Sequence, residues 1–210
     1  MYIPKYYRLD DRDRIAQYLT AYPFGILVAD DGTRPIAVHM PFEWREDNDR
    51  LILEGHVARG NPIARVAPQA ASVLVIFQGP HSYISSSWYR EPNVPTWNYA
   101  AVHVYGTCWE LTGKEFQQAM SRLLDHYEGE RADGRTWDTL TPTFREQQMR
   151  GIVGLSIAVE EIQAAQKMSQ NRTDEDFRSV VSHLEDGAVE AQSVAHVMKT
   201  VRPQLYADKG

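Results

Sequence analysis

Between Phe77 and Gly106 the chain concentrates Trp88, Trp97, Tyr83, Tyr89, Tyr99, His81 and His103 around three prolines, Pro80, Pro92 and Pro95, and the serine run Ser85–Ser87. Proline fixes φ and removes an amide donor, so most of this stretch is expected to be neither regular helix nor central strand. Aromatic surface of this extent has to be covered by something. Loops that carry it are set on a rigid scaffold and tend to bind. The flanking segments say what that scaffold is.

Upstream, residues 10–21 read as a helix that Asp10 or Asp11 can cap, with Ile15, Tyr18 and Leu19 on one face and Pro23 as its stop. Phe24 to Ala29 reads as a strand, with a turn at Asp30-Asp31-Gly32. Pro35 to Trp44 alternates, placing Val38, Met40, Phe42 and Trp44 on one face. The charged run Arg45–Arg50 predicts a hairpin loop, and Leu51 to Val57 the returning strand, so the first third reads as an antiparallel meander. Asn61-Pro62 predicts a turn into a short helix over 63–67. Ala71 to Phe77 is a continuous apolar run, expected as a strand buried on both faces.

Downstream, Trp97 to Leu111 reads as a long strand with Val102, Val104 and Cys108 on one face and Tyr99, His103, Tyr105 and Trp109 on the other. Helical spacing of apolar residues predicts a helix over 113–127, and Pro142 introduces a short one over 144–150. Ile152 to Val159 alternates as a strand, and helices are expected over 174–185 and 189–201. The total is about six strands in meander order with three or four helices. No βαβ alternation and no glycine-rich phosphate fingerprint is present, which excludes a parallel nucleotide-binding sheet. The expected class is mainly β with peripheral helices (α+β), built on a small antiparallel barrel.

At 210 residues the chain suits one domain, or one domain with an appendage. We expect a barrel domain over 1–170 and a C-terminal helical extension over 171–210, packed on the barrel or on a partner subunit. Net charge is -6 and no lysine or arginine run stands out, which argues against strong direct nucleic-acid binding. The single cysteine, Cys108, excludes an internal disulfide and a cysteine-built zinc site, and suits a reducing interior. With no apolar run of signal-peptide or membrane-spanning length, a cytoplasmic protein with no membrane partner is expected.

The histidines at 39, 56, 81, 103, 126, 183 and 196 form no HxH or HExxH pair, so no metal site is expected. The serines near His81 and His103 lack a GxSxG elbow. An anionic cofactor fits better. Arg59 follows a strand edge and precedes a helix start, where a guanidinium and backbone N–H groups can hold a phosphate. The hydroxyls of Ser85–Ser87 can donate to the same oxygens. Trp88, Tyr89, Trp97 and Tyr99 offer flat walls for a ring system. A second basic group, Lys167, Gln170, Asn171 and Arg172, lies in KMSQNR just after the last strand.

The opening MYIP and the strings GHVARGNP, FQGPHSYISSSWY, VPTWNYAAVHVYG and KMSQNR, in that order, resemble the PaiB family of FMN-binding negative transcriptional regulators. The likeness covers nearly the whole chain. It implies an FMN-binding split β-barrel, related in architecture to pyridoxamine phosphate oxidases and flavin reductases. It also implies FMN as cofactor and a homodimer with flavin sites at the subunit interface. On that reading Arg59, Ser85 and Ser87 hold the phosphate, Trp88, Trp97, Asn98 and Tyr99 line the ring, and Lys167 and Arg172 place positive charge near the flavin or its phosphate. If the chain is an enzyme, it is an FMN-dependent oxidoreductase, and no catalytic acid or base is named. The family name implies negative regulation. Yet there is no helix-turn-helix, and Asp174, Glu175, Asp176, Glu185, Asp186 and Glu190 make the C-terminal region acidic, which opposes phosphate contacts and suits an indirect effect. Two other readings stay open: a direct DNA-binding repressor, and a haem protein using His103, His56, His183 or His196.

Overall fold

The computed structural model describes residues 1–48 and 50–207. The strands are β1 (Phe24–Asp30), β2 (Pro35–Pro41), β3 (Glu43–Asp47), β4 (Arg50–Ala58), β5 (Val73–Ile84), β6 (Thr96–Leu111) and β7 (Ile152–Lys167). The helices are α1 (Arg12–Ala21), α2 (Ile63–Val66), α3 (Gly113–Glu128), α4 (Pro142–Met149), α5 (Asp174–Glu185) and α6 (Val189–Val201). The strands form one sheet in the order β2-β1-β5-β6-β7-β4-β3. Two antiparallel hairpins, β1–β2 and β3–β4, are therefore not a meander, since β2 and β3 stand at opposite ends of that order. The single strand expected over Pro35–Trp44 is instead broken at Phe42 into β2 and β3, which take different partners. The charged run from Arg45 also contradicts the expected loop: Arg45–Asp47 belongs to β3, in register with Arg50–Ile52.

β5 does not end at Phe77. It continues through Pro80 to Ile84. Its register with β1 covers only Leu74 to Ile76, so beyond that point a missing amide donor on one edge is tolerated. Its alternating burial also differs from the two-sided burial expected of an apolar run. β7 likewise runs eight residues past Val159, through a polar EEIQ segment that alternation alone does not mark.

The chain divides into two compact units. One comprises Met1–Tyr18, Gln78–Val102 and the chain from Gln163; the other comprises Leu19–Phe77 and His103–Ile162. In the second unit Phe116, Ala119 and Met120 of α3 bury against Leu111, with Leu123, Trp137, Met149 and Ile152 around them. Gly106 is needed there, because a Cβ at this position would lie 2.0 Å from the carbonyl oxygen of Ala158. In the first unit α5 buries Phe177, Val180, Val181 and Leu184, and α6 buries Val194, Ala195 and Met198. α1 is started by Asp11, whose carboxylate accepts from the Arg14 amide at 2.9 Å. No helix among the described residues is long and apolar enough to cross a membrane.

Candidate functional site

In the first unit, the KMSQNR segment leaves β7 as a loop held open by an unusual backbone. Ser169 has φ +59, a left-handed conformation that a residue with a Cβ rarely adopts unless it is pinned. The pin is Asn98 of β6, which has no exposed surface. Its amide nitrogen donates to Ser169 Oγ at 3.0 Å, and the Ser169 hydroxyl lies 3.2 Å from Asn98 Oδ1. The same amide nitrogen reaches Met198 Sδ of α6 at 3.4 Å. On the other side Arg202 donates to the carbonyls of Gln170 and Arg172 at 2.6 and 3.0 Å and to Asp174 at 3.0 Å. Thr173 caps α5 by accepting from the Asp176 amide at 3.2 Å. A short loop is thus fixed from β6, α5 and α6, which gives its two basic side chains defined positions.

Those side chains are Lys167 and Arg172. The Arg172 guanidinium carbon lies 4.6 Å from the centroid of the Tyr89 ring, and Lys167 Nζ lies 6.0 Å from that of Tyr7. Lys167 donates to Thr96 Oγ1 at 2.5 Å. Among the described residues neither cation forms an ion pair, while neighbouring carboxylates are engaged elsewhere: Asp174 with Arg202 and Glu175 with Arg90. Burial, and then the adjacent Arg172 charge, push the Lys167 ammonium below the usual lysine range. Burial is also the main cause that raises the Tyr7 phenol, and Arg172, Tyr89 and Tyr99 all act on it, so these rings and charges share one neighbourhood. The Tyr89 hydroxyl is buried without a hydrogen-bond partner among the described residues, on a residue only 7% exposed.

The serine run forms a 3-10 turn, Ser86–Trp88, capped by Ser85, whose Oγ accepts from the Ser87 amide at 3.2 Å and lies 2.8 Å from Ser87 Oγ. Trp88 stacks on His183 of α5 at 5.0 Å and 14°, and Ser179 donates to the Trp88 carbonyl at 2.7 Å. Trp97 is 54% exposed and makes an edge contact with Tyr83 at 6.0 Å. Ser85, Ser87, Trp88, Trp97, Asn98, Tyr99, Lys167 and Arg172 therefore all fall in the first unit. Asn98 stands apart from them chemically, since its amide is fully buried and already engaged. Tyr7 and Arg202 lie outside the quoted strings, and Thr96 lies inside VPTWNYAAVHVYG with no role legible there; only the tertiary fold brings the three to the loop.

Arg59 belongs to the second unit. Its guanidinium clasps the chain before β7, with Nε donating to the Arg150 carbonyl at 2.7 Å and an Nη donating to that of Ile152 at 2.9 Å. Among the described residues its Nη1 makes no further hydrogen bond. Burial lowers the pKa of His56 and of His103, and the buried His56 Nδ1 has no partner. Among the described residues no three histidine, cysteine or acidic side chains converge as a metal site.

The donor set of the first unit suits a phosphate-bearing aromatic cofactor. It has two cations without carboxylate partners, an unsatisfied buried phenol and several exposed ring faces. Comparison with known proteins decides the family. Residues 1–161 match the model of the putative FMN-binding domain. The chain belongs to this FMN-binding family. It is 43% identical over 186 residues, 89% of this chain and 90% of the other, to protease synthase and sporulation protein PAI 2 of Bacillus subtilis (strain 168). It is also 37% identical over 106 residues to protein YKL070W of Saccharomyces cerevisiae, covering 47% of this chain and 63% of that one. The fold recurs in the FAD and heme binding protein of Mycobacterium smegmatis, with a TM-score of 0.61, 17% identity and coverage of 82% of this chain and 79% of that one. It recurs again in the flavocytochrome Anf3 of Azotobacter vinelandii, with a TM-score of 0.61, 14% identity and coverage of 84% and 78%. The architecture is the split barrel, and the cofactor of the family is a flavin.

Proposed function

We propose that the chain is an FMN-dependent redox protein of PaiB type that works as a homodimer in the cytoplasm and affects transcription indirectly. The observation that carries this reading is the pair Lys167 and Arg172, set on tyrosine rings and, among the described residues, without a carboxylate to neutralise them. An anionic cofactor supplies the missing charge. Ser85 and Ser87 offer hydroxyls for its phosphate, and Trp88, Trp97 and Tyr99 offer ring faces. Asn98 acts behind them by holding Ser169. Bound FMN supplies electron and hydride transfer. The exposed Trp97 and Tyr83 pair supports self-association, since large aromatic rings left at the surface favour a partner. The 43% identity to PAI 2 supports the regulatory connection. The acidic first turn of α5, Asp174–Asp176, favours an indirect effect over direct DNA contact.

The test is titration of the purified chain with FMN and with riboflavin, read by absorbance and flavin fluorescence, with sedimentation in parallel. Near one FMN per chain is expected, with weaker binding of riboflavin and loss of affinity in Lys167→Ala and Arg172→Ala. Unchanged affinity in both variants would remove them from the site. A second reading, haem binding, draws on His183, whose Nδ1 lies 2.8 Å from the Ser179 carbonyl. That contact engages Nδ1 and leaves Nε2 as the ring nitrogen for a ligand. A haem titration without a Soret band ends this reading.

A further inference from the structure

Within the second unit, a cavity of about 360 Å³ is lined by the β3–β4 hairpin, the end of β6 and one stripe of α3. That volume falls at the low end of ligand pockets, roughly 300–1,000 Å³, and suits a small guest. The lining includes a buried charge. Glu54 of β4 is 4% exposed, and its carboxylate accepts from Arg45 at 3.0 Å and from Arg122 at 2.5 Å. A buried ion pair adds little stability over an apolar pair of the same volume. A carboxylate sunk this deep is accounted for by what it positions, two guanidinium groups in the cavity wall. Arg45 also pairs with Asp47 at 3.0 Å, so its charge is matched twice. Arg122 spends one Nη on Glu54, and among the described residues its Nε and other Nη make no hydrogen bond. Gln118 and Glu115 stand four and seven positions before Arg122, on the same face of α3. Among the described residues Glu115 has no cationic partner. Trp109 of β6, 37% exposed, gives the cavity an indole wall. One wall thus combines spare guanidinium donors, an unmatched carboxylate and an aromatic face.

We infer that this cavity binds a free α-amino acid with an apolar or aromatic side chain. Arg122, with the Gln118 amide, takes the carboxylate, because a guanidinium offers paired donors to a carboxylate. Glu115 takes the ammonium group, and Trp109 takes the side chain. A guest carrying both charges meets both unmatched groups at once, whereas a simple anion faces Glu115 and a simple cation faces Arg122. None of these residues belongs to the flavin reading, and the cavity lies wholly in the second unit.

The test is calorimetric titration of the full chain at neutral pH, with and without FMN, using L-phenylalanine, phenylalaninamide and 3-phenylpropionate. Saturable binding of one L-phenylalanine per chain is expected. Each analogue is expected to bind about tenfold more weakly, the loss of one charge-assisted contact, to Arg122 for the amide and to Glu115 for the propionate. Glu115 is exposed, so Glu115→Gln leaves the fold intact. That variant is expected to weaken L-phenylalanine about tenfold and to spare 3-phenylpropionate, which has no ammonium group to lose. No saturation by L-phenylalanine at roughly 10 mM overturns the proposal. Equal affinity for the three compounds also overturns it, and so does L-phenylalanine binding that Glu115→Gln leaves unchanged. A chain that binds no FMN still decides the matter, because the titration needs no flavin.

Discussion

Replacing Asn98 with alanine tests how the KMSQNR loop is held. The Asn98 side chain has no exposed surface and shares a reciprocal pair of contacts with Ser169, at 3.0 and 3.2 Å. Removing it leaves the Ser169 hydroxyl, on a residue only 3% exposed, without that partner. A buried polar group left unpaired costs about 1–3 kcal/mol, and loss of the bond itself about 1 kcal/mol more. The expected destabilisation is therefore about 2–4 kcal/mol, a fall in Tm of roughly 5–15 °C for a chain of this length. Ser169→Gly is expected to cost less. It loses the same hydroxyl, but glycine adopts φ +59 without strain, which returns part of the loss. Because the two residues act on one contact, the double variant is expected to fall well short of the sum of the singles. The assay is urea unfolding of all four proteins, with FMN titration alongside. FMN affinity is expected to fall in Asn98→Ala even though the amide is buried, because Lys167 and Arg172 lose their fixed positions. A stability change under about 0.5 kcal/mol, the size of an ordinary surface substitution, would refute the pinning argument.

Three further outcomes are expected. Cys108 is 3% exposed and burial pushes its thiol up to about 12, so native protein should resist thiol reagents at neutral pH and react only on unfolding; rapid native labelling would contradict the burial of β6. Glu43, whose carboxyl lies 2.9 Å from His126 but has one buried oxygen unpaired, is raised above its usual range, chiefly by burial. Folded protein then binds more protons than unfolded protein between the ordinary and the raised value, so stability falls as pH rises through that window. Glu43→Gln should flatten this fall, which urea midpoints measured across pH 4 to 7 would reveal. Arg59→Ala should lower stability by about 1–3 kcal/mol through loss of its bonds to the Arg150 and Ile152 carbonyls, and Arg59→Lys should restore only part, because an ammonium cannot reproduce the fork. Denaturation midpoints of the two variants check this.

Much of the local structure was legible because its cause is local. Helices α5 and α6 follow the 3.6-residue period and end where expected, at Glu185 and Val201. The alternation in β6 separates buried Val102, Val104 and Cys108 from the opposite face. β5 was misjudged at Pro80 because proline argues against a strand only where a neighbour needs its amide, and the register with β1 has ended by then. β3 was misjudged because charged residues read as a loop, although Arg45 finds Glu54 on the paired strand, a partner nine positions away.

What the chain determines without its fold is periodicity, the places of proline, the near absence of cysteine and the motifs that carry the family resemblance. These are properties of neighbours in sequence, set by backbone sterics and hydrophobic spacing. Only the tertiary structure decides the strand order that parts β2 from β3, the left-handed turn at Ser169, and the grouping of Tyr7, Tyr89, Thr96, Lys167 and Arg172. It also turns Asn98 from a candidate ring contact into the clamp behind the loop. Hydrogen bonds between residues seventy positions apart, and charges left without carboxylates, have no signature in composition or spacing, because they exist only once the chain has folded.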